Sequence, residues 1–122
     1  LLTLLFTDIV GSTKLKQDLG DQRAIELIQA HHDKVRQVLA LFPEGEEIDT
    51  AGDSFFILFT RPSDATQFAL LVQSQVRLLA KETGIPVLDR IGIHVGEVFI
   101  DESGEAKAKD LYGIQVEARG QN

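Results

Sequence analysis

Five consecutive apolar residues, Phe55-Phe56-Ile57-Leu58-Phe59, follow closely on the turn-forming step Gly52-Asp53. A strand apolar on both faces belongs in the centre of a sheet, with helices covering at least one side. Glu47 to Ala51 leads into the turn and reads as the partner strand, so Glu47 to Thr60 is expected to form a hairpin. The rest of the chain then has to supply further strands beside this hairpin and helices over it.

The flanking segments have the right periods for that. Leu2 to Ile9 is short, apolar and closed by Gly11, which predicts another buried strand. Ser12 and Thr13 are expected to cap a short helix running to about Leu19, with Gly20 ending it. From Asp21 to Phe42 the residues Ile25, Ile28, Val35 and Leu39 recur at helical spacing, widened by Leu27, Val38 and Phe42, and Pro43 stops the pattern. Pro62-Ser63-Asp64 opens the next helix, with Ser63 as the expected N-cap. Its stripe is Ala65, Phe68, Ala69, Val72, Val76 and Leu79, and Gly84 ends it. Val87 to His94 and Glu97 to Ile100 read as a strand pair around Gly96, and polar Asp101 to Lys109 as an exposed hairpin or flap. The order β-α-α-β-β-α-β-β predicts an α+β fold. It is a ferredoxin-like sandwich, a mainly antiparallel sheet with helices packed on one face.

At 122 residues and 43% hydrophobic, the chain has material for a single core, so residues 1–122 are expected to form one domain. It opens on its first core strand, which points to a piece of a longer protein. The net charge of −7 argues against a nucleic-acid partner, which would need a basic surface. It also means that an anionic substrate would need cations to mediate its binding. There is no cysteine, which excludes disulfides and thiolate metal sites. The opening apolar run is far shorter than the roughly 20 residues of a membrane span and lacks the basic start of a signal peptide. A cytoplasmic location is expected, compatible with a membrane anchor elsewhere in a parent protein.

Two segments place carboxylates where chemistry can occur. In Phe6-Thr7-Asp8-Ile9-Val10-Gly11-Ser12-Thr13, Asp8 ends a buried strand, where an unpaired carboxylate is costly. The Gly11-Ser12-Thr13 step then opens a helix whose first N–H groups attract phosphate. The plain alternative is that Asp8 and Ser12 only cap that helix. In Ala51-Gly52-Asp53-Ser54, Asp53 occupies a hairpin turn, and turn chemistry alone would account for it. The pair says more than either member. With the first strand beside the central hairpin, Asp8 and Asp53 converge at one sheet edge. Such a carboxylate pair suits Mg²⁺ or Mn²⁺, two ions of which can drive an in-line displacement. His94 reads as a packed sheet residue between Gly92 and Gly96, and His31 and His32 as ordinary, partly exposed helix residues.

Four segments, in order, resemble the class III adenylate/guanylate cyclase catalytic domain. They are Phe6 to Thr13, then Gly52-Asp53-Ser54-Phe55, then Arg90 to Val98, then Asp110-Leu111-Tyr112-Gly113. The resemblance implies that Asp8, Asp53 and the backbone carbonyl of Ile9 bind two metal ions. It implies that Gly11, Ser12 and Thr13 hold a triphosphate whose α-phosphate is attacked by the 3′-hydroxyl. It further implies a head-to-tail homodimer with shared sites, and regulatory domains in the parent protein.

The chain also departs from that pattern. Four residues before Asp53, where adenylate cyclases usually carry Lys and guanylate cyclases Glu, stands Asp49, which leans towards guanine as a hydrogen-bond acceptor. Asp110, at the second base-reading position, is the residue type typical of adenylate cyclases, and ATP is the expected substrate. The family's Asn is missing after Val116, so a stretch is expected to be absent between Val116 and Gly120. Arg119 is the candidate for the arginine that stabilises transition-state charge. A diguanylate-cyclase-like enzyme is disfavoured, because the Gly52-Asp53 hairpin carries one acidic residue where that class needs two. An inactive nucleotide-binding or dimerisation module remains the alternative to an active cyclase.

Overall fold

The computed structural model describes residues 1–100, 106–109 and 115–117. Its elements are β1 (Leu2–Ile9), α1 (Ser12–Leu19), α2 (Asp21–Leu39), β2 (Glu46–Ala51), β3 (Ser54–Phe59), α3 (Pro62–Thr83), β4 (Asp89–Ile100), β5 (Ala106–Lys109) and β6 (Gln115–Glu117). Among the described residues the strands form one sheet, ordered β2-β3-β1-β4-β5-β6 and antiparallel at every pairing. β1 lies between β3 and β4, with Leu5 opposite Ile57 on one side and Ile93 on the other.

Strand alternation sorts the apolar residues into two layers. Leu5 and Ile9 of β1 join Phe55, Ile57 and Phe59 of β3 beneath the helices, in one core with Leu27, Val35 and Val38 of α2 and Phe68, Val72 and Val76 of α3. Leu4 and Leu58 face the other way, in a smaller cluster with Leu2, Ile48 and Phe56. Among the described residues, the helical side chains that enter a core all join the first layer. The result is the expected α+β sandwich of the ferredoxin-like kind.

Local details of α2, β4 and α3 differ from the sequence reading, and α1 is capped by Gly11, not by Ser12 or Thr13. The buried stripe of α2 is Ala24, Leu27, His31, Val35 and Val38, while Ile25 is exposed. The expected Leu27, Val35 and Val38 are buried and Ile28, Leu39 and Phe42 pack against the core, while His31 holds a core position that a count of apolar residues passes over. β4 is one strand of 12 residues where two were expected; it runs straight through Gly96, which pairs with Leu2 of β1. Ladders to β1 on one side and β5 on the other keep the backbone extended there. α3 begins at Pro62 with Arg61 as its N-cap, two residues before the expected Ser63 cap. Proline's fixed φ suits the first helical position, where its missing N–H costs nothing. At Gly92, opposite Phe6, a Cβ would collide with the Phe6 ring, which lies over the β4 backbone there.

A register shift in β2 matters for the site. Glu47 pairs with Ile57, but Asp49 pairs with Phe56, so Ile48 forms a β-bulge. In an unbroken ladder Asp49 would oppose Phe55 and point under the helices. The bulge sets it opposite Phe56, on the open face of the sheet.

Phe68 is fully buried against the Phe42 and Phe59 rings, with centroids 5.9 and 5.3 Å away. Phe68→Ala is expected to cost about 3–5 kcal/mol in urea unfolding. Ile25→Ala should stay within about 0.5 kcal/mol of wild type, which checks the corrected face of α2.

Candidate active site

Asp8 is the penultimate residue of β1. The alternation that buries Ile9 beneath the helices turns Asp8 to the open face, opposite Arg90 of β4. The Arg90 guanidinium donates to Asp8 Oδ2 at 2.8 Å. The second oxygen, Oδ1, is buried and accepts no hydrogen bond among the described residues. A desolvated carboxylate oxygen without a donor is costly, and a hard cation would satisfy it. The residues present therefore fit a divalent metal.

Asp53 reaches the same place from β3's side. The β2–β3 hairpin closes with Ala51 opposite Ser54. Gly52 takes φ 59°, the left-handed region that glycine enters at least cost, and leaves Asp53 an ordinary backbone conformation. Asp53 Oδ2 accepts the backbone N–H of Ile9 at 3.0 Å. The two carboxylates expected to converge thus meet at one end of β1, Asp53 being bonded to the residue after Asp8. Arg90 lies in the field of both. Its guanidinium is held above its ordinary pKa first by the hydrogen bond to Asp8, then by the Asp8 charge, with Asp53 adding to it. Among the described residues no three His, Cys, Asp or Glu side chains form a metal cage. The candidate ligands are a carboxylate pair and main-chain oxygen.

The segment after β1 is shaped as a phosphate cradle would be. Gly11 is the N-cap of α1 in the left-handed conformation, and no side chain caps the helix. Neither Asp8 nor Ser12 acts as a cap, against the plain alternative for this segment. Ser12 is half-buried and Thr13 exposed in the first turn. Asp49 shares a row of the open face with Phe56 and Phe6. Asp110, Arg119 and the expected gap between Val116 and Gly120 lie outside the described residues; Gln115–Glu117 is strand β6.

The sequence reading missed a buried polar network behind the hairpin. His31, taken as an ordinary partly exposed residue, is fully buried, and its Nε2 lies 2.8 Å from both carboxylate oxygens of Asp89. His32 Nε2 lies 2.8 Å from the Gly52 carbonyl, and its ring meets Phe55 edge-on. The available signal was two adjacent histidines on an otherwise apolar stripe. His94 is half-buried on β4 opposite Leu4, as a packed sheet residue should be.

The family model of the adenylate and guanylate cyclase catalytic domain matches residues 1–119. The adenylyl cyclase CyaB from P. aeruginosa is similar in structure, at TM-score 0.72 and 19% identity over 84% of this chain and 61% of that one. The guanylyl cyclase Cya2 gives 0.73 and 22% over 82% of this chain and 56% of its own. A non-canonical dimeric guanylyl cyclase domain from the aquatic fungus Blastocladiella emersonii gives 0.72 and 17% over 95% and 65%. The chain therefore spans about three fifths of these solved chains. No curated protein matches it. No helix among the described residues is long and apolar enough to cross a membrane.

Arg36 of α2 binds Glu47 of β2 through both carboxylate oxygens, at 3.1 and 2.9 Å. The Arg36 hydrogen bond lowers the Glu47 pKa, burial opposes it, and the Thr50 hydroxyl lowers it further. A depressed carboxylate stabilises the fold fully above its ordinary range and loses that contribution as pH falls through the depressed value. Glu47→Gln should cost under about 1 kcal/mol near neutral pH, because the pair is half exposed. Urea curves of variant and wild type should converge in acid.

Proposed function

The chain belongs to the adenylate and guanylate cyclase catalytic domain family, and on that premise we propose that it converts ATP, in preference to GTP, into the 3′,5′-cyclic monophosphate and pyrophosphate. In this class III nucleotidyl cyclase chemistry the substrate's 3′-oxygen bonds to its α-phosphorus. The bond from that phosphorus to the β-phosphate oxygen breaks.

Asp8, Asp53 and the carbonyl of Ile9 would hold two Mg²⁺ or Mn²⁺ ions. Bound there, such ions lower the pKa of an attacking hydroxyl and stabilise charge on the leaving oxygen. The observation that carries this reading is the Ile9 N–H to Asp53 hydrogen bond, which holds the second carboxylate at the residue after Asp8. The orphaned Asp8 Oδ1 supports it.

The chain's own residues do the rest. Gly11, Ser12 and Thr13 bind the triphosphate through the uncapped N–H groups that open α1. Asp49 and Asp110 orient the base, with the Asp110 carboxylate accepting from the adenine amino group. Arg119 offsets charge on the phosphate in the transition state. The active unit is a head-to-tail homodimer. Phe6 and Val10, on either side of Asp8 in sequence, are exposed apolar residues that a second copy would cover. Regulatory domains of a parent protein would act on that assembly.

Asp8→Asn and Asp53→Asn should each abolish product formation while leaving the circular dichroism spectrum unchanged. The assay is chromatography of products after incubation with Mn²⁺ and, separately, ATP or GTP. The cyclic product of ATP should exceed that of GTP. Nucleotide that raises the melting temperature and yields no cyclic product would instead mark a binding module.

A further inference from the structure

A chain of hydrogen bonds, buried at Asp89 and His31 and half-exposed at His32, ends on the hairpin that carries Asp53, and the proposed chemistry makes no use of it. It begins at Asp89, the first residue of β4, whose carboxylate is buried. The Thr7 hydroxyl donates to Asp89 Oδ2 at 2.8 Å, and the Gln73 amide donates to the Asp89 carbonyl at 3.0 Å. His31 Nε2 sits 2.8 Å from the carboxylate. His31 Nδ1 faces His32 Nδ1 at 3.0 Å, and His32 Nε2 reaches the Gly52 carbonyl at 2.8 Å.

Counting protons along this chain fixes its state. A carbonyl only accepts, so His32 Nε2 carries a hydrogen. The gap between Asp89 and His31 Nε2 holds another. The gap between the two Nδ1 atoms needs one as well, because two bare lone pairs repel and two N–H groups collide. Three gaps thus need three protons, whereas two neutral imidazoles bring only two. The extra proton's charge balances the carboxylate of buried Asp89, so the trio is neutral overall and avoids the cost of an unbalanced buried charge. Burial lowers the His32 pKa, while the Gly52 carbonyl bond and Asp53 pull it up and His31 and Arg36 push it down. A fourth proton has no gap to enter.

We propose that His31 and His32 are positioning residues: the chain from Asp89 clamps the Gly52 carbonyl and so holds the adjoining Asp53 carboxylate against the Ile9 amide. The clamp ties the hairpin through α2 to the head of β4, so Asp53 is fixed from behind as well as by its own bond to β1. The consequence for metal affinity rests on the reading of Asp53 as a metal ligand; the clamp itself does not.

Two readouts test this on the whole chain. Amide hydrogen exchange at Ile9 reports whether Asp53 stays in place, with no metal present. The paramagnetic resonance signal of free Mn²⁺ reports affinity. His32→Ala is expected to speed exchange at Ile9 by about tenfold or more. It should also weaken Mn²⁺ binding by about 10–100-fold, as loss of an outer-shell partner does. His32→Gln, whose side-chain amide both donates and accepts, should restore both towards wild type. The imidazole ¹⁵N spectrum of the unaltered protein should show one protonated and one bare Nδ1 across the pair. Two bare Nδ1 signals would overturn the proposal, as would unchanged Ile9 exchange in a folded His32→Ala variant. If His32→Ala fails to fold, the imidazole spectrum decides alone. Asp53→Ala is the control that separates the two claims. If it leaves Mn²⁺ affinity intact, the metal reading fails, and Ile9 exchange still decides the clamp.

Discussion

The hydrogen bond from the Ile9 amide to Asp53 joins residues 44 positions apart and sets the geometry of the whole candidate site. It depends on where β1 lies. As a strand with β3 on one side and β4 on the other, β1 ends in a fixed place relative to both the β2–β3 hairpin and the head of β4. Asp53 arrives from the hairpin and Arg90 from β4, and both meet the last two residues of β1. Two carboxylates at one end of a strand repel unless their charge is offset. Here one oxygen of Asp8 is balanced by a guanidinium and one of Asp53 by a main-chain amide, which leaves Asp8 Oδ1 with unmet demand for positive charge.

The two faces of the sheet divide the labour. The helical face holds the core that sets the strand order, with Phe55, Ile57 and Phe59 supplying the apolar contacts of β3. The open face carries Asp8, Arg90, Phe6, Phe56 and, through the β-bulge at Ile48, Asp49. One extra residue in β2 therefore moves a carboxylate from beneath the helices to the side where Asp8 lies. The same strand's Glu47 stays on the helical side, where Arg36 of α2 meets it. The hydrogen-bonded chain from Asp89 to Gly52 links the layers, since it runs from the head of β4 through His31 and His32 of α2 to the tip of the hairpin.

Much of this was legible in the sequence, for physical reasons. A five-residue apolar run after Gly52-Asp53 has few places to go except the middle of a covered sheet, and that placement brings Asp53 towards the end of the first strand. The α3 stripe read correctly because every buried position in it is apolar. The α2 stripe read correctly at Leu27, Val35 and Val38 but missed its centre, a histidine whose burial depends on Asp89, 58 residues away in sequence. No local pattern encodes such a partner. The ion pair of Asp8 with Arg90 was hidden for a related reason: it follows from the β1–β4 register, which only the folded sheet sets. The single β4 strand was misread at Gly96 because glycine marks turns more often than it lies within a paired strand. The bulge that exposes Asp49 has no glycine or proline to announce it.

The account's central claim is that Asp8 and Asp53 share divalent cations at the end of β1. Anomalous diffraction from crystals grown with Mn²⁺ and a non-hydrolysable triphosphate tests it directly. The account predicts manganese peaks in contact with Asp8 Oδ1 and the Asp53 carboxylate, beside the first turn of α1. Ordered manganese and nucleotide bound elsewhere, with the Asp8 and Asp53 carboxylates untouched, would contradict it.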